Sequence, residues 1–560
     1  MLDKNEVSDL LENFADLLEF KGENPFKIRA FRFGANAIKN IEGDLDTKVE
    51  DGSIKDVKGI GKGILAILKE VHDTGKCMDY ENLLSSIPKG IMDLFQIRGL
   101  GIKKIRTLHD TLGINDIDDL AEAAVEDKIA AVTGFGMKTQ EKIVAEIARI
   151  KSSEGLIHYY RAIELGDSLL NDLMKIKSVT QGELTGELRR GVEVISAIEI
   201  LLCVNDETKF ISELDKLYKF REMSDEPDNY LLFDINLSII VKVFYVNDVA
   251  LFQSTLLRTT GSKEFLKGIG YKYADSSTKR ETDIFDDLDV SYVIPEMREA
   301  EILEAPVELR KNSELNQKDL LGLLHFHTKH SDGLNTLAEM GAAAKLLGYQ
   351  YAAVCDHSKT AFYANGLTEE RILIQKKELR ELSNNKNIMF FQGIESDILN
   401  DGSLDYSNEF LSNFDFIVAS VHSGFNLSEE NMTKRVIKAL EIEFTDVLGH
   451  PTGRLLLSRN PYKIDTKKII DACAANNVAI EINSNPFRLD LDWRLIFYAR
   501  EKGCKFAINP DAHSVEGIKD VSYGIKMAKK GGLQKEEVIN CLSIDDFKSF
   551  LKRKVNRKLI

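Results

Sequence analysis

From Leu321 onward, seven short apolar runs alternate with helix-patterned segments: LGLLHFH, YAAVCDH, IMFFQGIE, FDFIVASVH, FTDVLGH, VAIEINSN and KFAINPDAH. Short, continuously apolar runs separated by helices are the pattern of strands buried on both faces. The alternation restricts this part of the chain to a βα barrel or a doubly wound parallel sheet. Every run ends in polar residues. In a βα barrel the C-terminal strand ends are where the chemistry is placed.

The residues at those ends are metal-ligand types: His325 and His327, Asp332, His357, Glu395, His422, His450, Asp511 and His513. His325 and His327 lie two apart at a strand end, so they point to the same side and can share one ion. A single HxH is often just a pair of core histidines. Here six of the ten histidines fall in strand-end motifs of this one segment, and only His72, His109, His158 and His330 do not. The mixed imidazole and carboxylate set suits manganese, zinc or iron better than calcium or magnesium alone.

The rest of the chain reads differently. Residues 1–150 are helix-patterned, punctuated by three Gly-x-Gly turns, Gly59–Gly61, Gly99–Gly101 and Gly134–Gly136, each followed by a lysine-bearing amphipathic stretch. Such turns let backbone amides at a helix N-terminus approach a phosphate without reading sequence. From about 155 to 300, helices mix with strand patterns such as VEVISAIEILLCV and LLFDINLSIIVKVFYV. The proline-bearing, charge-dense SYVIPEMREAEILEAPVELRKNSELNQKD reads as the connection to the last domain.

Bulk properties exclude several classes. A net charge of −16 over 560 residues is incompatible with a protein coated in DNA-binding surface, so nucleic-acid contact must be local. The basic run KSFLKRKVNRKLI at the end reads first as a solvated tail. Six scattered cysteines without a CxxC pair read as buried thiols in a reducing compartment. No apolar run is long enough for a membrane helix, and the acidic N-terminus is not a signal peptide. A cytoplasmic protein, on the nucleoid when bound to DNA, is expected.

The order HxH, SDG, DHS, GIE, SVHS, GHPTGR, NSNP and DAHS resembles the polymerase-and-histidinol-phosphatase (PHP) domain. The resemblance implies a distorted (β/α)7 barrel holding three divalent ions. One would be held by His325, His327, Glu395 and Asp511, a second by Asp332, His357 and His513, and a third by Glu395, His422 and His450. An activated water would then attack phosphorus, with Arg454, Asn485 and Arg488 orienting the phosphate. The family usually has an aspartate where this chain has Leu323.

The Gly-x-Gly turns, with NPFKIRAFRFGANAI, TGELRRG, TTGSKEF and VIPEMREAEILEA, resemble bacterial family X DNA polymerases carrying a C-terminal PHP domain. This implies a multidomain α+β and α/β chain: a helical helix-hairpin-helix domain at 1–85 and a fingers-like helix-hairpin-helix region at 86–152. A nucleotidyltransferase-like palm and thumb at 153–300, a linker at 301–320 and the PHP domain at 321–560 follow.

The polymerase positions are altered. Family members carry two aspartates where this chain has Ala197 and Glu199, and the third falls near Lys242 or Val243, with Asp234 the nearest acid. Glu187 replaces the serine of the phosphate-binding turn. Arg258 and Thr259 stand where an aromatic pair is expected, and Ile67 where a lyase lysine would lie. The expectation is a metal-dependent 3′→5′ exonuclease, with abasic-site incision as a second activity, acting on gapped, nicked or single-stranded DNA ends. Its polymerase and lyase sites would be inactive. The alternatives are a working gap-filling polymerase with a proofreading PHP domain, a small-molecule phosphatase, and a non-catalytic DNA-binding platform.

Overall fold

The computed structural model describes residues 4–41, 43–219, 222–224, 229–234, 239–272, 280–384 and 388–552. It forms two compact units, Met1–Glu154 and Gly155–Ile560.

The described residues of the first unit are helical throughout, around two apolar clusters. Val7, Leu11, Phe14 and Leu18 show how the first cluster forms: their four-three-four spacing lays one stripe along the helix Lys4–Lys21. The three Gly-x-Gly turns share one conformation. Gly59, Gly99 and Gly134 have φ of 110°, 78° and 89°, the left-handed region that L side chains rarely adopt. Gly61, Gly101 and Gly136 are extended and begin the helices Lys62–Thr74, Ile102–Leu112 and Met137–Ser153 without a side-chain cap.

The second unit contains two sheets and a short ladder. The ladder pairs β1 (Ile157–His158) antiparallel with β3 (Val194–Ile195). A five-stranded sheet has the order β2 (Val179–Leu184), β4 (Ala197–Val204), β7 (Ile240–Val246), β6 (Tyr230–Asp234), β5 (Glu222–Ser224). Only β4 and β7 run parallel, in a register that sets Glu199 beside Lys242. The run LLFDINLSIIVKVFYV is therefore two antiparallel strands, β6 and β7, and residues 235–238 between them lie outside the described residues.

The other sheet is a nearly closed, all-parallel barrel of seven strands. They are β8 (Gly322–Leu324), β9 (Tyr351–Val354), β10 (Met389–Asp397), β11 (Phe416–Ser420), β12 (Val447–Leu448), β13 (Ala479–Asn483) and β14 (Phe506–Asn509). The seven apolar runs are these strands. Alternation decides what each residue faces. Leu324, Ala353, Phe391, Val418, Val447, Ala479 and Ala507 fill the interior, while Leu323, Ala352, Phe390, Ile417, Leu448, Ile480 and Ile508 pack outward under the helices. Gly393 lies on the inner face of β10, where a Cβ would overlap the carbonyl oxygen of Val354.

The barrel is distorted where its first and last strands meet. At the top they touch through a parallel bridge between Phe326 and Ala512. Lower down, the Asn540 side chain fills the gap, donating to the Ile508 and Gly322 carbonyls (2.9 and 3.2 Å) and accepting from Ile508 N–H (2.8 Å). The helix Ile544–Leu551 plugs the barrel floor, with Phe547 stacked on Tyr351 at 4.7 Å between ring centroids. The basic run beginning at Lys548 thus starts inside this plug rather than as a solvated tail, and its residues 553–560 lie outside the described residues.

The stretch read as a connection is packed at its start, where several of its charges are internal. Arg298 is fully buried against Glu281, and Glu299 and Glu296 pair with Lys530 and Lys526 of the barrel at 2.8 and 3.2 Å. Charge density in a sequence reads as exposure, but here Arg298, Glu296 and Glu299 each meet an opposite charge within the fold.

Candidate metal centre

The inward alternation that fills the barrel continues past the apolar floor and delivers the ligand-type residues to its open end. Ala353, Cys355 and His357 follow one line; Phe391, Gly393 and Glu395 another; Val418, Ser420 and His422 a third; Ala507, Asn509 and Asp511 a fourth. Three of the nine candidates leave regular backbone to aim their side chains: His325, His450 and Asp511 have φ of 61°, 23° and 52°. Such strain persists only where surrounding structure holds it, and it concentrates at functional sites.

Three groups of ligand atoms lie within 4.8 Å of one another: His325, His327 and Asp511; His327, Asp332, His357 and His513; and His357, Glu395 and His422. Two donors bound to one ion at about 2.0–2.2 Å sit roughly 2.9–3.6 Å apart. The observed spacings fall in or near that range. His327 Nε2 is 3.0 Å from Asp511 Oδ1, and His325 Nε2 is 3.5 Å from both Asp511 Oδ1 and Glu395 Oε1. His357 Nε2 and His513 Nε2 each lie 3.5 Å from Asp332 Oδ2. His450 Nε2 and His422 Nε2 are 2.9 and 3.3 Å from Glu395 Oε1. Glu395 sits at the middle, within ion-pair distance of His325, His327, His357, His422 and His450. His357 faces two groups, turning Nδ1 to Glu395 Oε2 (2.9 Å) and Nε2 to Asp332.

The donor set fits divalent cations on a further observation. His325 Nε2, His327 Nδ1, His357 Nδ1, His450 Nδ1 and Glu395 Oε2 are buried polar atoms without a hydrogen-bond partner. Buried polar atoms are otherwise almost always satisfied. His357 Nδ1 and Glu395 Oε2 are 2.9 Å apart yet not aligned for a hydrogen bond, as two ligands aimed at a common point would be.

The electrostatics make the same demand. Burial works against the charge on Glu395 and Asp511, yet the surrounding imidazoles hold both carboxyls well below their usual range. Burial also disfavours protonated histidine, but the Glu395 and Asp332 carboxylates lift His357 to about 10, and Glu395 and Asp397 lift His422 to about 9. His327 is pushed down to about 4 by burial and by its neighbours His513 and His357. Protons on histidine here do for the carboxylates what metal cations would do more completely.

Sequence reasoning missed the shell that orients these ligands. Glu481, fully buried on β13, lies 2.6 Å from His325 Nδ1, takes the His450 N–H at 2.7 Å and the Asn509 amide at 2.8 Å. Asp397 lies 2.6 Å from His422 Nδ1. Asp356 takes the Thr328 N–H and hydroxyl, both at 2.7 Å, fixing the turn after His327. The inward alternation of VAIEIN was the available signal for Glu481. Leu323 points outward into the apolar layer, so the orientation of His325 depends on Glu481 and not on that position.

The three proposed phosphate-orienting residues separate. Arg488 is adjacent to the cluster, its Nε 3.8 Å from Asp511 Oδ2. The Asn485 side chain closes a local turn by accepting the Phe487 N–H at 3.0 Å. Arg454 is engaged elsewhere, bonding Asp492 at 2.7 Å, the carbonyls of Arg488 and Leu489, and Glu193 of the palm at 3.5 Å.

The palm positions are occupied by other chemistry. Glu199 is half-buried, and its carboxyl is raised by desolvation despite Lys242 beside it; a Cβ on Gly186 would overlap its carboxylate. Lys242 stands over the Tyr230 and Phe244 rings at 4.1 and 4.5 Å. Glu187 caps Ser196, accepting from its N–H and hydroxyl at 2.7 and 2.8 Å. The arginines of TGELRRG are tied inward: Arg189 is bidentate to Glu281, and Arg190 bonds Glu299 and the Thr260 carbonyl. Nothing is described of the Asp234 side chain. In the first unit Ile67 is buried in the core, whereas a Cβ on Gly61, Gly99, Gly101, Gly134 or Gly136 would meet nothing within 4 Å. Only Gly59 is crowded, by Phe33 and Ala37.

Comparison with known proteins gives three family matches along the chain. Residues 3–77 match the helix-hairpin-helix domain, 91–149 the SAM-like helix-hairpin-helix tandem, and 324–485 the PHP domain. The chain is 32% identical to the DNA polymerase/3′-5′ exonuclease PolX of Bacillus subtilis (strain 168) across 98% of this chain and 99% of that protein. It is also 26% identical to a probable phosphatase of Thermoanaerobacter sp. (strain X514), over 41% of this chain and 94% of the phosphatase. A probable phosphatase of Caldanaerobacter subterraneus subsp. tengcongensis is 25% identical over 42% of this chain. The PHP match and the clustered ligands together support metal-dependent phosphoesterase chemistry in the barrel. Among the described residues no helix is long and apolar enough to cross a membrane.

Proposed function

The chain belongs to the family X DNA polymerases that carry helix-hairpin-helix elements and a C-terminal PHP domain, and from that membership we propose that it works as a 3′→5′ exonuclease on DNA ends, with its palm retained as scaffold. The observation that carries this reading is the contrast between two sites in one unit. The barrel gathers nine ligand-type side chains, Glu395 at their middle, while the palm offers Ala197, Glu199 and Lys242 where a nucleotidyl transferase needs three carboxylates.

In this reading His325, His327, Glu395 and Asp511 hold one ion, Asp332, His357 and His513 a second, and Glu395, His422 and His450 a third. Manganese or zinc suits the donors, with iron as a further choice. Ions held there supply an acidified water and neutralise the charge that develops on phosphate oxygens. The chain's residues do the rest. Glu481 and Asp397 fix the tautomers of His325 and His422 so that each presents an unprotonated Nε2. Arg488, beside Asp511, orients the non-bridging phosphate oxygens. The open helix N-termini after Gly61, Gly101 and Gly136 bind the DNA backbone irrespective of sequence. Abasic-site incision would use the same barrel. The buried Ile67 leaves no Schiff-base nucleophile at the lyase position.

The deciding experiment places a 5′-labelled primer in gapped DNA with dNTPs and manganese, and follows primer length. Shortening that disappears in His325→Ala and Asp511→Ala is the expected result. Lengthening that depends on Glu199 would mean the palm is a working polymerase. If neither occurs but phosphate is released from small monoesters, the phosphatase relatives are the better guide.

A further inference from the structure

Beyond the ligands and their supports, the rim of the barrel carries a feature with no role in holding the fold. The turn after His357 displays two large rings to solvent: Phe362 is 86% exposed and Tyr363 73%. A single exposed aromatic residue is ordinary; two adjacent ones on a rigid turn beside a metal centre are not.

The turn is firmly built. Ala361 and Ala364 are buried beneath it. Thr360 donates its N–H to Asp405 at 2.7 Å and its hydroxyl to Asp397 at 2.9 Å, and Asp397 is the carboxylate that orients His422. Gly366 N–H returns to the Ala361 carbonyl at 3.1 Å, and Leu367 N–H to the His357 carbonyl at 2.8 Å. The turn that carries the rings is therefore held beside the site. The Tyr363 centroid is 6.2 Å from that of the ligand His357.

We propose that Phe362 and Tyr363 form a stacking platform that receives the terminal base of the strand whose phosphodiester lies at the metal centre. This rests on the exonuclease reading. A nucleic-acid base is favoured over a protein partner because the rings adjoin the place where a phosphodiester must sit, so the nucleoside attached to it falls beside them. Stacking also suits a nuclease that ignores sequence, since every base has a π-face. Both residues are positioning residues: they touch the base and not the reacting phosphate.

The test is a cycle between protein and substrate, using the full-length protein. Wild type and F362A/Y363A are compared on a 5′-labelled single strand ending in a normal nucleotide and on one ending in a tetrahydrofuran abasic analogue. The platform predicts that wild type favours the normal end by roughly 5- to 100-fold in kcat/KM, chiefly through KM, and that the variant loses this preference. Y363F restores it. An unchanged preference in the double variant overturns the platform. Loss of all cleavage by wild type would instead refute the exonuclease reading, so a second measurement is independent of turnover. A strand with terminal 2-aminopurine is mixed with protein in calcium: quenching with wild type and not with F362A/Y363A supports stacking, and binding without any difference in quenching overturns it.

Discussion

Glu481 Oε1 lies 2.6 Å from Nδ1 of His325, a contact between β13 and the end of β8 that fixes which imidazole nitrogen faces the metal centre. Its other oxygen holds the strained backbone of His450. One buried carboxylate therefore sets two ligands from opposite sides of the barrel. Glu481→Gln can still accept a hydrogen bond from His325 but removes the charge that anchors the tautomer; Glu481→Ala removes both. Supporting carboxylates of this kind are worth about 10- to 100-fold in metal affinity. Metal titration of the alanine variant should show that loss, with the glutamine variant between it and wild type. Equal affinity in all three would mean that His325 is oriented by packing alone.

The helix-hairpin-helix turns give a prediction with opposite signs for folding and binding. Gly61, Gly101 and Gly136 are N-cap residues in extended conformation, with open space where a side chain would go. Aspartate is a favoured N-cap, worth about 0.5–2 kcal/mol over residues that cannot cap. The same carboxylate would stand where a DNA phosphate approaches. Gly101→Asp should leave thermal stability equal or higher while weakening DNA binding by roughly 3- to 10-fold at low salt, the gap closing as salt rises. Anisotropy titrations at three salt concentrations measure this. Unchanged DNA affinity would show that this turn does not meet the backbone.

How far the sequence discloses the site depends on which physical rule governs each residue. The seven strands are legible because their apolar runs have the length and spacing of buried parallel strands, and His325 through His513 are legible because they end those runs. Glu481 obeys the same alternation one step deeper, but a lone acid inside an apolar strand reads as an exposed residue until its partners are known. Asn540 and Phe547 are illegible for another reason: they close the barrel through contacts with strands far away in sequence. Arg454 misleads because GHPTGR places it near a ligand, whereas its donors answer Asp492 and the palm residue Glu193.

Arg189 and Arg298 both grip Glu281, and although burial opposes its charge, the two guanidinium groups lower its carboxyl to about 2. A carboxyl depressed from 4.5 to about 2 contributes stability that is fully present above 4.5 and is lost as pH falls toward 2, about 3 kcal/mol at neutral pH. Glu281→Gln should lower the urea midpoint at pH 7, and the difference from wild type should shrink steadily below pH 4.5. The single tryptophan, Trp493, is buried at the palm–barrel junction beside Glu193 and gives a local fluorescence signal for this transition. A difference that persists undiminished at pH 2.5 would assign the effect to packing instead of charge.

Metal binding should expel protons, and the sign follows from the histidines. In the metal-free protein burial opposes protonation of His357 and His422, but neighbouring carboxylates outweigh it and raise them to about 10 and about 9, so both carry a proton at pH 7.5. Metal ligation requires neutral imidazole, so manganese must displace those protons. Burial opposes a proton on His325 too, but Glu481, Asp511 and Glu395 hold it well above its usual range, so it adds to this count. Calorimetric titration in buffers of differing ionisation enthalpy should therefore report a release of about two protons or more at pH 7.5 and weaker binding as pH falls. The same shifts govern the metal-free fold. The His357 and His422 pKa values are raised above 6.5, so their stabilisation is fully present below 6.5 and is lost as pH rises through 9 to 10. Protein stripped with EDTA should therefore lose thermal stability between pH 8 and 10, while the manganese-loaded protein should not. Binding enthalpies independent of buffer, together with parallel stability profiles with and without metal, would mean that these histidines are neutral before the metal arrives.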